Sequence, residues 1–152
     1  KAATAAGCHM AITSGLVMHP LENLERENKA TWFKPKIDPQ TAKKRWIASI
    51  KPLGQVFIDN GAYKALISGK SLLPAGVVGV KGNFLRGDVV VINTESNLVV
   101  GQGLIAYSSK EANVIKGVNS SQIGQLLGYP GRAALIHRND MAITDNSLER
   151  KQ

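Results

Sequence analysis

The chain has 152 residues, 43% of them hydrophobic, which supports one buried core with room for a partial second unit and excludes a mainly disordered protein. Its apolar runs fall far short of the roughly 20 residues that span a bilayer, and its start lacks the order of a signal peptide, so a cytoplasmic protein without membrane contact is expected. The net charge of +8 is uneven: residues 1–42 hold five Lys or Arg against four acids and residues 43–152 fourteen against seven, a basic balance that fits either a solvated surface or a phosphate-bearing partner.

The first stretch, 1–6, is alanine-rich and reads as a helix that Gly7 ends. Cys8 is the sole cysteine, which excludes an internal disulfide and a cysteine metal cluster. Met10-Ala11-Ile12-Thr13 reads as a buried strand. Helix, glycine and strand make an α/β alternation, in which ligands gather at the carboxyl ends of strands, so Ser14 and Gly15 are candidates to border a nucleotide cleft. From Leu16 to Pro39 the apolar period fades into a loop or a short solvated helix. Trp32-Phe33 reads as packed aromatics, with stacking on a base as the functional alternative. Pro35 and Pro39 interrupt regular structure and place an interdomain linker at 34–42. Lys43-Lys44-Arg45-Trp46-Ile47 then sets three cations beside an indole. That combination suits single-stranded nucleic acid, but an inert basic flank with Trp46 as a core anchor is the favoured reading.

Gly54 to Asp59 reads as a strand, followed by a helix capped at Asp59 or Asn60, with Ala62, Ala65 and Leu66 at helical spacing and Gly69 as terminator. Lys64 and Lys70 are expected nearer to solvent. Val77, Val78 and Val80 form a short strand, and Val89 to Ile92 a second one after a tight turn at Arg86-Gly87-Asp88. A polar hairpin at 93–97 leads into a strand at 98–101, and 103–107 reads as a further strand. Ser108 and Glu111 have capping-box spacing, which opens a helix to Lys116 that Gly117 closes. Ile123, Leu126 and Leu127 repeat the helical stripe up to Gly128. Residues 134–136 read as the returning strand, and the tail after Thr144 as polar and frayed. The whole is mainly β with short α-helices.

No catalytic set emerges from these residues. His9, His19 and His137 fall in different elements without metal-ligand spacing, and there is neither a Gly-x-Ser-x-Gly elbow nor a phosphate-binding P-loop. His137-Arg138-Asn139-Asp140 is dense in polar groups, and a structural role with local pairing of Arg138 and Asp140 is the favoured reading over catalysis.

The stretch SLLPAGVVGVKGNFLRGDVVVI from Ser71, with AKKRWIAS before it and GQGLIAYSSKEANVIKG after it, closely resembles the PUA domain at the C-terminus of bacterial glutamate 5-kinases. KAATAAGCHMAITSG at the start resembles the last helix and strand of the amino-acid-kinase domain in that family. The resemblance implies a PUA-like pseudo-barrel preceded by a truncated α/β remnant: remnant at 1–33, linker at 34–42, PUA domain at 43–144, polar tail at 145–152. Lys1 in place of a methionine agrees with an excerpt of a longer protein. Ala30-Thr31 stands where the family usually has Gly-Thr, and Asn139 where its terminal motif reads His-Arg-Asp.

The family transfers the γ-phosphoryl group of ATP to the side-chain carboxylate of L-glutamate, with magnesium, in the first step of proline biosynthesis. Its phosphate loop and catalytic lysine lie upstream of the position of Lys1, and the resemblance implies a homo-oligomer for the full-length enzyme. This chain alone is expected to be inactive and to contribute no catalytic, cofactor-binding or metal-binding residues. RNA-binding PUA relatives meet RNA at the segment leaving the first helix, which makes Lys70, Pro74 and Gly76 the leading RNA candidates, with Lys43, Lys44 and Arg45 beside them. A plain connector at 70–76, and a regulatory or oligomerisation role for the domain, stand as alternatives.

Overall fold

A computed structural model describes residues 2–5, 7–16, 18–27, 30–35 and 37–144. The expected frayed tail at 145–152 lies outside the described residues. Contacts divide the chain into two compact units, 1–43 and 44–152.

The first unit holds helix α1 (Ala2–Ala5), strand β1 (Met10–Thr13), helix α2 (Pro20–Glu27) and strand β2 (Ala30–Phe33). Gly7 takes a φ of 78°, the left-handed value that ends a helix cheaply only at glycine. β1 and β2 pair antiparallel, with Met10 opposite Phe33 and Thr13 opposite Ala30. Two expectations fail here. β1 is not a buried strand, since Ile12 is 58% exposed, and Trp32 and Phe33 are exposed rather than packed. A two-stranded ribbon has too little sheet to cover its own side chains, so hydrophobicity alone does not bury them.

Helix α3 (Pro39–Ser49) begins inside the stretch expected to be irregular. Asp38 is the cause: its carboxylate accepts the Thr41 N–H at 2.9 Å and the Thr41 hydroxyl at 2.6 Å, and proline is harmless at a first helical position because its missing N–H would be unpaired anyway. Further along α3 the anchor is Ile47, fully buried, whereas Trp46 is 53% exposed. Neighbouring residues on a helix point about 100° apart, so burying one turns the other outward.

The second unit is built on a five-stranded sheet in the order β4-β3-β5-β6-β7. Its strands are β3 (Gly54–Ile58), β4 (Val77–Gly82), β5 (Val89–Thr94), β6 (Val99–Leu104) and β7 (Met141–Ile143). The expected tight turn between β4 and β5 does not make a hairpin, because β3 lies between them, antiparallel to β4 and parallel to β5. The connection instead buries Phe84 against Gly54, where a Cβ would collide with the phenyl ring.

Residues 98–101 and 103–107, expected as two strands, are one, β6, which ends at Leu104. Gly101 and Gly103 do not break it; they let the chain across the sheet approach. A Cβ on Gly103 would come within 2.6 Å of the Ile136 side chain, and one on Gly101 would overlap the Ala142 carbonyl. The returning strand is β7 beside β6, with Gly101 opposite Ile143 and Gly103 opposite Met141. Residues 134–136, expected to fill that role, make only a single bridge, Ile136 to Leu72.

Helices α4 (Asn60–Ile67), α5 (Ser109–Ile115) and α6 (Ile123–Leu127) follow their local signals. Asp59 caps α4 by accepting the Ala62 N–H at 2.7 Å, and Gly69 and Gly128 take φ values of 80° and 77° past α4 and α6. The Ser108 and Glu111 capping box is complete. The core gathers Val56, Ile58, Leu66, Leu72, Val90, Ile92, Ile115, Leu135 and Ile136, each contributing about 1.5–3 kcal/mol on burial. No helix among the described residues is long and apolar enough to cross a membrane.

Candidate functional site

The segment 70–76 connects α4 to β4, and between it and α4 lies a groove of about 420 Å³. Asp59 builds one end of it. Its side chain holds the first turn of α4 while its main-chain N–H donates to the Gly76 carbonyl at 3.0 Å, so one residue joins the helix start to the end of the segment. Gly76 then passes so close to Ala62 that no side chain fits between them.

Three further ties hold the segment. The Gly117 N–H, just past α5, donates to the Pro74 carbonyl at 2.8 Å. Leu72 exchanges backbone hydrogen bonds with Ile136 at 2.9 and 3.2 Å. The Arg138 N–H donates to the Ser71 hydroxyl at 3.0 Å.

Residues 135–138 thus hold the segment 71–72, and the loop leading to them is latched to Tyr107 and to Glu111 of α5. The buried Tyr107 hydroxyl donates to the Arg132 carbonyl, and the Tyr129 hydroxyl donates to Glu111 Oε1 at 2.7 Å. Glu111 Oε2 accepts both the hydroxyl and the N–H of Ser108, at 2.7 and 2.8 Å. The Ser108 hydroxyl does most to hold the Glu111 carboxyl below the usual carboxylate range, followed by the Ser108 N–H and the Tyr129 hydroxyl. Burial pushes the Tyr107 phenol up, helped by the Glu111 charge, and the bond to Glu111 pushes Tyr129 up.

Lys70 and Gly76 line the groove, as do Asp59, Ala62, Ala65 and Leu73. Pro74 is buried behind that surface. Lys44 and Arg45 are exposed on α3 and do not line it; Lys43 is exposed at the end of the first unit. The lining is mostly apolar, with Lys70 its cation and Asp59 its acid. Such a lining has the chemistry to take a flat or apolar group with an anion at the lysine end. Ser71 and Leu73 were not singled out by sequence reasoning, and Asp59 was read only as a cap. The spacing of Asp59 from Ala62 was the available signal, since it fixes where α4 begins; the tie from Arg138 to Ser71 leaves no local trace.

The other polar candidates do not assemble into a reacting site. Among the described residues no group of three or more His, Cys, Asp or Glu could hold a metal ion. His137 Nδ1 accepts the Asn139 N–H at 3.2 Å, a turn-forming bond. Ser14 accepts the Leu16 N–H at 3.3 Å, and among the described residues a Cβ on Gly15 would meet nothing within 4 Å.

The family model described as the PUA domain matches residues 54–127. Glutamate 5-kinase of Roseobacter denitrificans is 56% identical over 144 residues, covering 95% of this chain and 38% of that protein. Glutamate 5-kinase of Agrobacterium fabrum is 48% identical over 152 residues, covering 99% of this chain and 39% of that one. A crystal structure of a PUA domain from Aeropyrum pernix K1 is 28% identical, covering 63% of this chain and 46% of that chain, with a TM-score of 0.46. The chain therefore spans about two fifths of the length of the curated relatives it matches.

Proposed function

We propose, for a chain that carries a PUA domain and is similar along nearly its whole length to glutamate 5-kinases, that it is the C-terminal part of such a kinase. The whole enzyme is a cytoplasmic, homo-oligomeric phosphotransferase that moves the γ-phosphoryl group of ATP to the side-chain carboxylate of L-glutamate. In this reading residues 1–33 close the amino-acid-kinase domain, 34–42 connect, 43–144 are the PUA appendage and 145–152 a tail. The observation that carries it is the 56% identity over 95% of the chain.

Phosphoryl transfer needs phosphate charge neutralised by cations, backbone N–H groups and magnesium, and among the described residues no group of His, Cys, Asp or Glu is placed to hold the metal. The reacting groups then belong to the remaining length of the kinase. The exposed faces of β1 and β2 agree with strands that complete a larger sheet. The test is glutamate- and magnesium-dependent release of ADP from ATP. Turnover by the full-length gene product and none by the 152-residue chain is the expected result; turnover by this chain alone, or none by the full-length product, overturns the proposal.

For the appendage itself, the groove favours contact with an RNA strand over a purely structural connector. Its apolar lining accepts the face of an unpaired base, and Lys70 meets a phosphate.

A further inference from the structure

Helix α4 opens on Asn60-Gly61, and of all the asparagines in the chain only Asn60 is followed by glycine. A side chain on the following residue hinders attack of its main-chain nitrogen on the asparagine carboxamide, and glycine has none. Both residues are exposed. Among the described residues neither the Asn60 carboxamide nor the Gly61 N–H has a hydrogen-bond partner. The cap serves the next two positions instead: Asp59 Oδ1 accepts the Ala62 N–H at 2.7 Å and the Asp59 carbonyl accepts the Tyr63 N–H at 3.0 Å. A Cβ added to Gly61 would meet only Asp59 Oδ1, at 3.3 Å, so no other described segment screens this peptide bond.

The reaction open to such a pair needs only water. The Gly61 nitrogen attacks Asn60 Cγ, the N–Cγ bond forms as the Cγ–Nδ2 bond breaks, and the proton lost by the Gly61 nitrogen leaves with Nδ2 as ammonia. Water then opens the five-membered succinimide at either carbonyl. Opening at Cγ restores the main chain with aspartate at position 60, an acid that suits the first turn of a helix. Opening at the main-chain carbonyl routes the chain through Cγ, as an isoaspartyl link one carbon longer. What restrains the first step is α4 itself, because helical dihedral angles hold the Gly61 nitrogen away from Cγ, and the ring closes only while the first turn is locally open.

We propose that Asn60-Gly61 is a site of spontaneous succinimide formation gated by the Asp59 cap, and that its isoaspartyl product dismantles the turn on which the cap acts. The added carbon falls between residues 60 and 61, inside the span that both Asp59 bonds close, so neither bond keeps its geometry. Ala62, against which Gly76 packs, lies in the same turn and shifts with it. Asp59 is a positioning residue here: it touches neither reacting atom and acts by keeping the turn shut.

The test is incubation of the 152-residue chain at mildly alkaline pH, folded and in guanidinium. Peptide mass spectrometry follows the amide-to-acid mass gain at residue 60, and methyl transfer from S-adenosylmethionine by a protein isoaspartyl methyltransferase counts the isoaspartyl product. Conversion is expected in the folded chain, more slowly than in the unfolded one. Asp59→Ala, verified as folded by circular dichroism, should convert faster by a factor of about 2 to 30, the change in opening equilibrium that loss of a cap brings. Gly61→Ala, whose backbone does not need a positive φ, and Asn60→Gln should stop the reaction. In the isoaspartyl fraction the Ala62 and Tyr63 N–H groups should exchange with deuterium several-fold faster than in the parent. A folded Asp59→Ala no faster than the parent, a parent as fast as the unfolded chain, or Gly61→Ala as fast as the parent each overturns the gated site. Mass gain without methyl acceptance, or unchanged exchange at Ala62 and Tyr63, overturns the dismantled turn. Should Asp59→Ala fail to fold, the comparisons with the unfolded chain and with Gly61→Ala decide the matter.

Discussion

Replacing Gly76 with Ala tests the packing that shapes the groove. Gly76 is not among the glycines with positive φ, so its backbone tolerates alanine and only space is at issue. The added Cβ would overlap the Ala62 Cβ and lie 3.5 Å from the Ala62 Cα and 3.8 Å from Asp59 Oδ1. A methyl group has no rotamer into which it can retreat, so α4 and residues 74–76 must separate. Overpacking of this kind costs about 1–3 kcal/mol. Loosening the bond from Asp59 to Gly76 adds about 1 kcal/mol, and the stiffer unfolded chain returns about 0.4–1 kcal/mol. The net expectation is a loss of about 1–3.5 kcal/mol.

Ala62→Gly alone should cost up to about 1 kcal/mol through helix propensity. With both changes the methyl simply moves to the other side of the contact, and the double variant should be less destabilised than Gly76→Ala alone. The coupling is then about 2 kcal/mol in the favourable direction. Urea unfolding followed by far-UV circular dichroism measures all four proteins, with equal slopes required for the comparison. Gly76→Ala within about 0.5 kcal/mol of the parent, or additive effects in the double variant, would refute the close-contact argument.

Gly101→Ala should be at least as damaging, because its Cβ would overlap the Ala142 carbonyl and come within 2.9 Å of the Ile143 Cα, both backbone. A loss of about 3 kcal/mol is expected, with faster hydrogen exchange at the Thr144 N–H that bonds the Val100 carbonyl at 2.8 Å; unchanged exchange there contradicts the assigned β6–β7 pairing. Glu111 has a depressed carboxyl, caused first by the Ser108 hydroxyl, so its contribution is present above the unfolded-state pKa of about 4.3 and is lost as pH falls through the lower folded value. Glu111→Gln should therefore cost about 1 kcal/mol near neutral pH, and the gap to the parent should close in acid, starting below about pH 5; a gap independent of pH in urea melts contradicts the bonding at Glu111.

Some of this protein was settled within a few neighbouring residues. Asp59 and Ser108-Glu111 start helices and Gly69 and Gly128 end them through bonds and dihedral angles that span one turn, and the energies are local enough to act before any partner arrives. Lys70 and Gly76 could be placed on a common segment for the same reason, and the structure puts both on one groove.

Strand partners are a different matter. The alternation in 77–82 and 89–94 is compatible with a hairpin, yet β3 separates them, because sheet order depends on which apolar faces can be buried together and not on which strands are adjacent in the chain. Gly101 and Gly103 look like interruptions until β7 and Ile136 lie against them, and Trp46 and Trp32 look like core residues until Ile47 takes the inside of its helix and the β1–β2 ribbon leaves its own faces open. Short-range bonding wrote the caps and turns into the residue order, whereas pairings between distant segments exist only once the whole core has closed around them.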